Sequence, residues 1–583
     1  MADVSYADAG SASWPRMPIP REAVLCTALA TVAASLLVWL APPSGDLAAH
    51  EYQRSLFLGH GFALWDNFWY AGRYAFVGYS VLYYPLAALL GIRLLAVVTI
   101  AIAAGAFAVL LEQEWGSASR WAVRAFAVVW SGVLITGEYP FALGITLALL
   151  ALLAFRAGRR WLGAGFIVLV LAASPVALVL LAVVLIGIAV ARRGSLRGRA
   201  AVPALALGAA AAVEIVLLRL FPLGGSLGFP LSQALAAFVF CGIGIACTRR
   251  LENARLLHYV FIAYAIAVAV FYVVPSGLGD NIARLRFLAV PLALLVLALR
   301  RWRPVKVSVA VLALALSWNV SPLAAGWTRA NQDITARAKV WRAPVAYLHE
   351  HLRAGYRVEA VDTTEHWPAY YLASAKIPLA RGWFRQDDFP FDAILYRHRT
   401  LAPAQYLGWL RRLGVAYVVL TRAPPDYSSR AEKRLVRSGR AGLQRVFSTR
   451  QISIYAVPHA QPIVRGPRSP EVLAFRESRL AIRVFEAGAY AVAVRWSPYW
   501  RASTGCLVPS PDGMVELQTH GPATVRIAFD VNASSLLATF AGRSPHCRPG
   551  YDTSRTSSDS GFRSARADHS SAVWLSGVRG RAG

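Results

Sequence analysis

From about residue 22 to residue 323 the chain is a succession of apolar runs separated by short polar breaks. No other feature constrains the fold as strongly. A run of roughly 20 apolar residues matches the hydrocarbon thickness of a bilayer, and a helix is the structure that satisfies its own backbone there. The runs lie near 22–42, 92–111, 121–136, 141–155, 162–173, 176–191, 201–220, 231–247, 257–275, 287–299 and 307–323. They predict a polytopic α-helical membrane protein of about 11 spans. The first run is too long for the core of a signal peptide and no clear small-residue cleavage site follows it, so it is expected to be a retained span.

The basic residues test that count. Arg156, Arg159 and Arg160 follow the fourth run, and Arg192, Arg193, Arg197 and Arg199 the sixth. Arg249, Arg250 and Arg255 follow the eighth, and Arg300, Arg301, Arg303 and Lys306 the tenth. Every second run therefore closes on positive charge, the pattern of cytoplasmic loops. Arg16 and Arg21 place residues 1–21 in the cytoplasm by the same rule. The loop 43–78 and everything after about 324 are then expected outside. The segment Tyr79–Gly91 is apolar but short and contains Pro85; as a full span it would invert every later cluster, so it is expected to lie along the membrane or dip into it.

A formal charge of +29 invites a nucleic-acid reading. Much of the charge in the first half sits between apolar runs, where it orients spans, and only 16% of the residues are charged, so no nucleic-acid partner is expected. No Walker-type loop, dinucleotide fingerprint, HExxH or GxSxG motif occurs.

After the last run the polarity becomes ordinary. Strand-like stretches at Tyr356–Val361, Val415–Leu420 and Gln451–Val457, with an amphipathic helical pattern over Ala404–Leu413, predict an α/β domain within 340–460. Short alternating runs at 479–486, 489–495, 514–518, 523–529 and 535–540 predict a β-sandwich over 461–541. The Ser-, Arg- and Gly-rich stretch 542–583 is expected to be disordered. Cys506 and Cys547 fall in this outer region and are candidates for a disulfide, the alternative being two unrelated thiols.

Candidate chemistry sits on the same side. If 47–60 is helical, Asp46 and His50 share a face, which suits a carboxylate base, or a metal ligand, with an imidazole beside it; Glu51 lies well round the helix. The alternative is that Asp46 only caps the helix. Trp65, Trp69 and Tyr79 belong to an aromatic-rich stretch that suits either a membrane interface or stacking on sugar rings. Glu138 lies in the turn between the third and fourth runs, and Asp280, Arg284 and Arg286 lie before the tenth. Arg284 is a candidate for holding a lipid phosphate, the alternative being a headgroup anchor. Glu214, within the seventh run, is a functional candidate or the ion-pair partner of Arg219.

Several of these residues carry a family resemblance. Gly45-Asp46 with His50, then Leu64–Asn67 (LWDN), Gly72 and Tyr84–Leu86 (YPL), resemble bacterial membrane proteins labelled 6-pyruvoyl-tetrahydropterin-synthase-related, and also YfhO-type membrane proteins. Leu413–Val419, Ile454–Val457 and Pro498–Trp500 are similar to stretches after the last span of the YfhO type. Both groups look like members of the GT-C superfamily of integral-membrane glycosyltransferases. The resemblance spans most of 22–541 and implies a GT-C-like helical domain over 22–323. It implies transfer, on the outer face, of a sugar from a polyprenyl-phosphate donor to a cell-envelope glycan or lipid. Asp46 would be the base, assisted by His50 or Glu51; Arg284 and Arg286 would hold the donor phosphate; Glu138, Asp280 and Glu214 would support; Trp65, Trp69 and Tyr79 would stack on sugar. A divalent metal, Mg or Mn on Asp46, is a further expectation. The common pattern of two adjacent acidic residues is absent, since Asp46 and Glu51 are five apart. A lipid-linked-glycan transporter or a non-catalytic envelope scaffold are the competing readings.

Overall fold

The computed structural model describes residues 20–192, 200–222, 224–396 and 400–542. Each apolar run is helical: Arg21–Leu40, Ile92–Trp115, 120–136, Tyr139–Arg156, Arg160–Ala173, Pro175–Ala191, Ala201–Leu220, Leu231–Thr248, Arg255–Val273, Ala289–Leu299 and Val305–Gln332. Among the described residues, 8 helices are long and apolar enough to cross a membrane when Ile92–Thr136 is counted as one. That stretch is in fact a hairpin. Gly116 turns the chain at φ 54°, and the rings of Phe107 and Phe126 stack with centroids 4.1 Å apart. In a straight helix those residues would stand about 28 Å apart. Arg160–Ala173 and Pro175–Ala191 are shorter apolar helices.

The helices approach closely where a side chain is missing. A Cβ on Gly105 would lie 2.6 Å from Thr27 Oγ1, and one on Gly187 2.6 Å from Val260 Cγ2. Small residues at the contact are how helices pack when surrounded by lipid. Outward-facing positions such as Leu205, Ile215 and Val273 stay exposed and apolar. The chain is thus a polytopic helical membrane protein with a C-terminal region of mixed and β structure.

Alternation of the helices is visible in contacts at the two ends of the bundle. At one end Glu22 pairs with Arg120 (3.2 Å) and Arg124 (2.8 Å), and Glu114 pairs with Arg156 and Arg192. Arg300 donates to the Cys247 carbonyl there (3.0 Å). Arg193, Arg197 and Arg199 lie outside the described residues. The other end carries the C-terminal region. Tyr79–Gly91 contributes one short helix, Tyr83–Leu90, and no span. The amides of Val81 and Leu82 donate to the Ala172 carbonyl (2.9 Å each), so the segment crosses the end of helix Arg160–Ala173.

The 43–78 segment is structured throughout. Helix Gly45–His60 leads into a small antiparallel pairing of Trp65–Asp66 with Arg73–Tyr74. Trp65 packs against Trp500 and Phe529, with centroids 5.3 and 5.0 Å away. Trp69 stacks on Tyr52 (4.4 Å) and donates to the Ala369 carbonyl (3.1 Å). Both indoles are buried. Neither a membrane-interface belt nor a sugar platform therefore describes them: their faces are filled by protein. Asp66, fully buried, accepts from Tyr52 Oη (3.0 Å) and the Phe68 amide (2.9 Å). Burial pushes its carboxyl up to about 6 against those hydrogen bonds.

The C-terminal region holds a mixed sheet in the order Arg357–Ala360, Val415–Thr421, Ile452–Ala456, Gln444–Ser448, with only the first pair parallel. Two further four-stranded antiparallel sheets follow. One pairs Gly488–Arg495 with Met514–Thr519 and the other pairs Arg479–Val484 with Ala523–Phe529. Their inner faces share a core containing Ile482, Tyr490, Val492, Leu517 and Val525. The expected last strand, 535–540, is instead a helix, Ala533–Phe540. Asn532 decides this: its side chain accepts from the Ser535 amide (2.9 Å) while Ser535 Oγ accepts from the Asn532 amide (3.0 Å), a reciprocal cap. Cys506 opens a strand and is disulfide-bonded. Cys547 and the tail expected to be disordered, from 543 onward, lie outside the described residues.

Arg73 and Asp387 tie the hairpin to the C-terminal region by a buried ion pair of 2.7 Å. Removing one partner of such a pair costs about 3–5 kcal/mol, because the other is left charged and unpaired. Arg73→Met is therefore expected to lower the thermal unfolding midpoint of the detergent-solubilised protein markedly, and Arg73→Met with Asp387→Leu to recover most of the loss.

Candidate active site where the helical bundle meets the C-terminal region

Asp46 occupies the second position of helix Gly45–His60; the N-cap is Ser44. The cap reading of Asp46 therefore falls. Its carboxylate is half-buried and accepts a hydrogen bond from Trp383 Nε1 at 3.0 Å. Two glycines bring other chain segments against it. A Cβ on Gly137, which has φ 86°, would lie 2.7 Å from Asp46 Cβ. A Cβ on Gly45 would lie 3.0 Å from Glu365 Oε2. A side chain at Gly137 would thus be both strained and in collision with Asp46.

Gly137 delivers Glu138, the next residue, to the same place. Glu138 accepts from the Thr136 hydroxyl and lies 4.0 Å from the Arg284 guanidinium. Burial raises its carboxyl above the usual range, with Arg284 opposing. Arg284 in turn lies 5.0 Å over the Phe141 ring. Tyr79 is half-buried beside Arg284, with its ring 5.9 Å from Phe384. Asp46, Glu138, Arg284 and Tyr79 thus come together from four separate parts of the sequence.

The other sequence candidates stand elsewhere. His50 is buried, with Nε2 3.0 Å from the Gly137 carbonyl and Nδ1 3.3 Å from Tyr84 Oη. The first contact requires Nε2 to carry the proton, and in the neutral ring Nδ1 then accepts from the Tyr84 hydroxyl. Burial, opposed by Asp46, pushes it down to about 4. With both nitrogens engaged it holds the Gly137 turn in place and has no free group for proton transfer. Glu51 faces Arg54 (3.7 Å) on another side of the helix. Arg286 donates to the Ala283 carbonyl (3.3 Å) and to Gln233, away from Arg284. Glu214 lies in the peripheral helix Ala201–Leu220, in which only Ala210 is buried. Asp280 is half-buried, within electrostatic reach of Arg284 and Arg286.

The C-terminal region supplies the residues that sequence reasoning missed. Trp383 stacks on His366, with 11° between the rings, and His366 Nδ1 donates to Asp362 Oδ2 at 2.6 Å. Arg385 lies 4.8 Å over the same indole and binds both oxygens of Asp426 (2.7 and 2.9 Å). Glu365, facing Gly45, pairs with Arg329 at 3.6 Å. Burial pushes its carboxyl up to about 7, with His366 and Arg329 opposing. The run Asp362-Thr-Thr-Glu-His366 follows strand Arg357–Ala360 after the single residue Val361. Polar residues at the carboxyl end of a parallel strand are a recognised place for function, and that position was the available signal.

Among the described residues no group of three or more His, Cys, Asp or Glu side chains is placed to hold a metal ion. Asp46 is spoken for by Trp383 on one oxygen, and Glu138 faces Thr136 and Arg284. This donor set does not fit the divalent ion that the family resemblance implied.

No protein-family model matches the chain. No curated protein matches it either. Among solved structures it is similar to a cryo-EM structure of arabinofuranosyltransferase AftD from Mycobacteria, with 19% identity over 75% of this chain and 40% of that one, at a TM-score of 0.47. Two classes of a point mutant of AftD give 18% and 19% identity, 77% and 78% of this chain, 42% of those chains, and TM-scores of 0.46 and 0.49. The chain spans about two fifths of the length of those structures.

Glu365 makes a pH prediction. Its folded carboxyl titrates near 7, above the ordinary value of 4.5, so the folded state binds more protons than the unfolded state between those values. Stability is then lost as pH rises through that window. Glu365→Gln is expected to raise the unfolding midpoint at pH 8 and to leave it nearly unchanged at pH 4, read by thermal unfolding across a pH series. An equal shift at both pH values would contradict the assignment.

Proposed function

We propose that the chain is a GT-C-type membrane glycosyltransferase, moving a sugar from a polyprenyl-phosphate carrier to an extracytoplasmic glycan or lipid acceptor. The observation that carries this reading is the meeting of the half-buried Asp46 carboxylate with the Glu138–Arg284 pair at one end of an apolar bundle. A carboxylate beside a guanidinium suits a displacement in which a proton is taken at one point and phosphate charge develops at another.

In the proposed step the acceptor hydroxyl approaches Asp46 and gives its proton to the carboxylate. The acceptor oxygen forms the new bond to the anomeric carbon as the bond to the phosphate oxygen breaks. The phosphate leaves with the electron pair, and Arg284 holds the charge, since guanidinium donors match phosphate oxygens. Glu138 fixes Arg284 and keeps it turned to the site. Tyr79, half-buried beside Arg284, is the remaining candidate to stack on the sugar. Arg286, Glu51, Glu214, Trp65 and Trp69 have no part in this step, and His50 acts only through the Gly137 turn.

A lipid-linked donor suits the place: the site lies at the end of helices whose outer faces are exposed and apolar. The arginine-rich end of the bundle supports a cytoplasmic placement by the positive-inside rule, and with it the reading that the site and the C-terminal region lie outside a bacterial plasma membrane.

The test is transfer of label from a panel of polyprenyl-phosphate pentoses and hexoses in membranes holding the full chain. Asp46→Asn is expected to lower transfer at least a hundredfold, the usual contribution of a positioned base. Arg284→Ala is expected to weaken both donor binding and turnover. Full activity of the Asp46→Asn protein would remove the base from the mechanism, and lipid translocation without transfer in both proteins would support a transporter instead.

A further inference from the structure

We infer that the C-terminal α/β domain is part of the active site, because Trp383 is a positioning residue for Asp46. The inference rests on the reading of Asp46 as the base. It adds that this base is aimed by a side chain 337 residues away in sequence.

An indole nitrogen only donates, so Trp383 Nε1 fixes Asp46 as the acceptor of the pair and occupies Oδ1 at 3.0 Å. Oδ2 has no protein hydrogen-bond partner among the described residues. One oxygen is thus held and the other is left for the acceptor hydroxyl. A base restrained in one rotamer keeps its free lone pair aimed, whereas a free carboxylate on the first turn of a helix samples several orientations.

The indole is itself held in place. His366 stacks on it, and Asp362 holds the His366 ring through Nδ1 (2.6 Å). His366 adopts φ 56°, rare for a residue with a side chain and tolerated where the surroundings enforce it. Asp362 is anchored in turn: its amide donates to Ser429 Oγ (3.2 Å), and its carbonyl accepts from the Asp426 amide (3.0 Å). The chain on either side of Trp383 is pinned by two arginines, Arg381 buried and Arg385 half-buried. Arg381 binds Asp388 (2.7 Å) with Ser428 and Ser429, and Arg385 binds Asp426. Gly382 lies against the Trp69 ring, where a Cβ would come within 2.5 Å. The 381–385 segment is therefore a rigid finger reaching from the α/β domain to the membrane site. A tryptophan serving only as packing would need neither the aimed nitrogen nor the His366–Asp362 support.

The experiment compares wild type, Trp383→Phe, Trp383→His and Asp46→Asn as full chains in nanodiscs. It uses the polyprenyl-phosphate sugar from the panel above that the wild type turns over, together with cryo-EM structures of wild type and Trp383→Phe. Trp383→Phe keeps a ring for His366 and removes the donor; Trp383→His restores a ring N–H. The expected result is a fall in kcat of about tenfold or more for Trp383→Phe, as for loss of a hydrogen bond to a charged group. The donor KM and the unfolding midpoint stay near wild type, most of the rate returns in Trp383→His, and Asp46 leaves its rotamer in the Trp383→Phe structure. Wild-type kcat in Trp383→Phe while Asp46→Asn is inactive would overturn the inference and leave the base reading standing. Activity in Asp46→Asn would overturn the base reading itself. A lowered midpoint with no rescue by Trp383→His, or an unmoved Asp46 in the Trp383→Phe structure, would make Trp383 structural only.

Discussion

The hairpin from Trp65 to Tyr74 is the piece on which the rest of the molecule depends. It lies between the first two membrane helices in sequence, yet its side chains belong to the C-terminal cores. Trp65 completes the sandwich core with Trp500 and Phe529, and Trp69 stands in the α/β core between Tyr52 and Gly382. Arg73 is neutralised by Asp387. Each aromatic pair adds about 0.5–1.5 kcal/mol beyond its burial, and the ion pair is costly to break. Together they lock the soluble region onto the bundle in one orientation.

That orientation is what makes a site. Helix Gly45–His60 carries Asp46 and ends in the same locked segment. The Gly137 turn is held against Asp46 by His50, and Glu138 and Arg284 follow from it. Trp383 then closes the arrangement from the α/β side. Neither the bundle nor the soluble region alone contains all of these groups.

The helices were legible in the sequence because burial in lipid writes itself into every residue of a span. The strands at Val415–Thr421 and Ile452–Ala456 were legible because β-branched runs between turns are a local signal. Ala533–Phe540 was not, since a short Leu-rich stretch suits strand or helix equally and a single capping residue, Asn532, decides. The side of the membrane each loop faces put Asp46, Glu138, Arg284 and Tyr79 into one candidate set, together with residues such as Arg286 that stand elsewhere. Rejecting Trp65 and Trp69 needed partners more than 300 residues distant, which no local pattern encodes. The same distance hid Trp383 and His366, whereas the spacing along helix Gly45–His60 already set Glu51 on another face from Asp46.

On the proposed function a lipid phosphate is handled at the end of the bundle that carries Asp46. A cryo-EM structure of the full chain in nanodiscs containing a polyprenyl phosphate tests this most directly. The phosphate is predicted within hydrogen-bond distance of Arg284, on the side facing Asp46, with the prenyl chain leaving between the helices. A phosphate bound instead among Arg156, Arg192 and the other arginines of the opposite end, with none at Arg284, would contradict it.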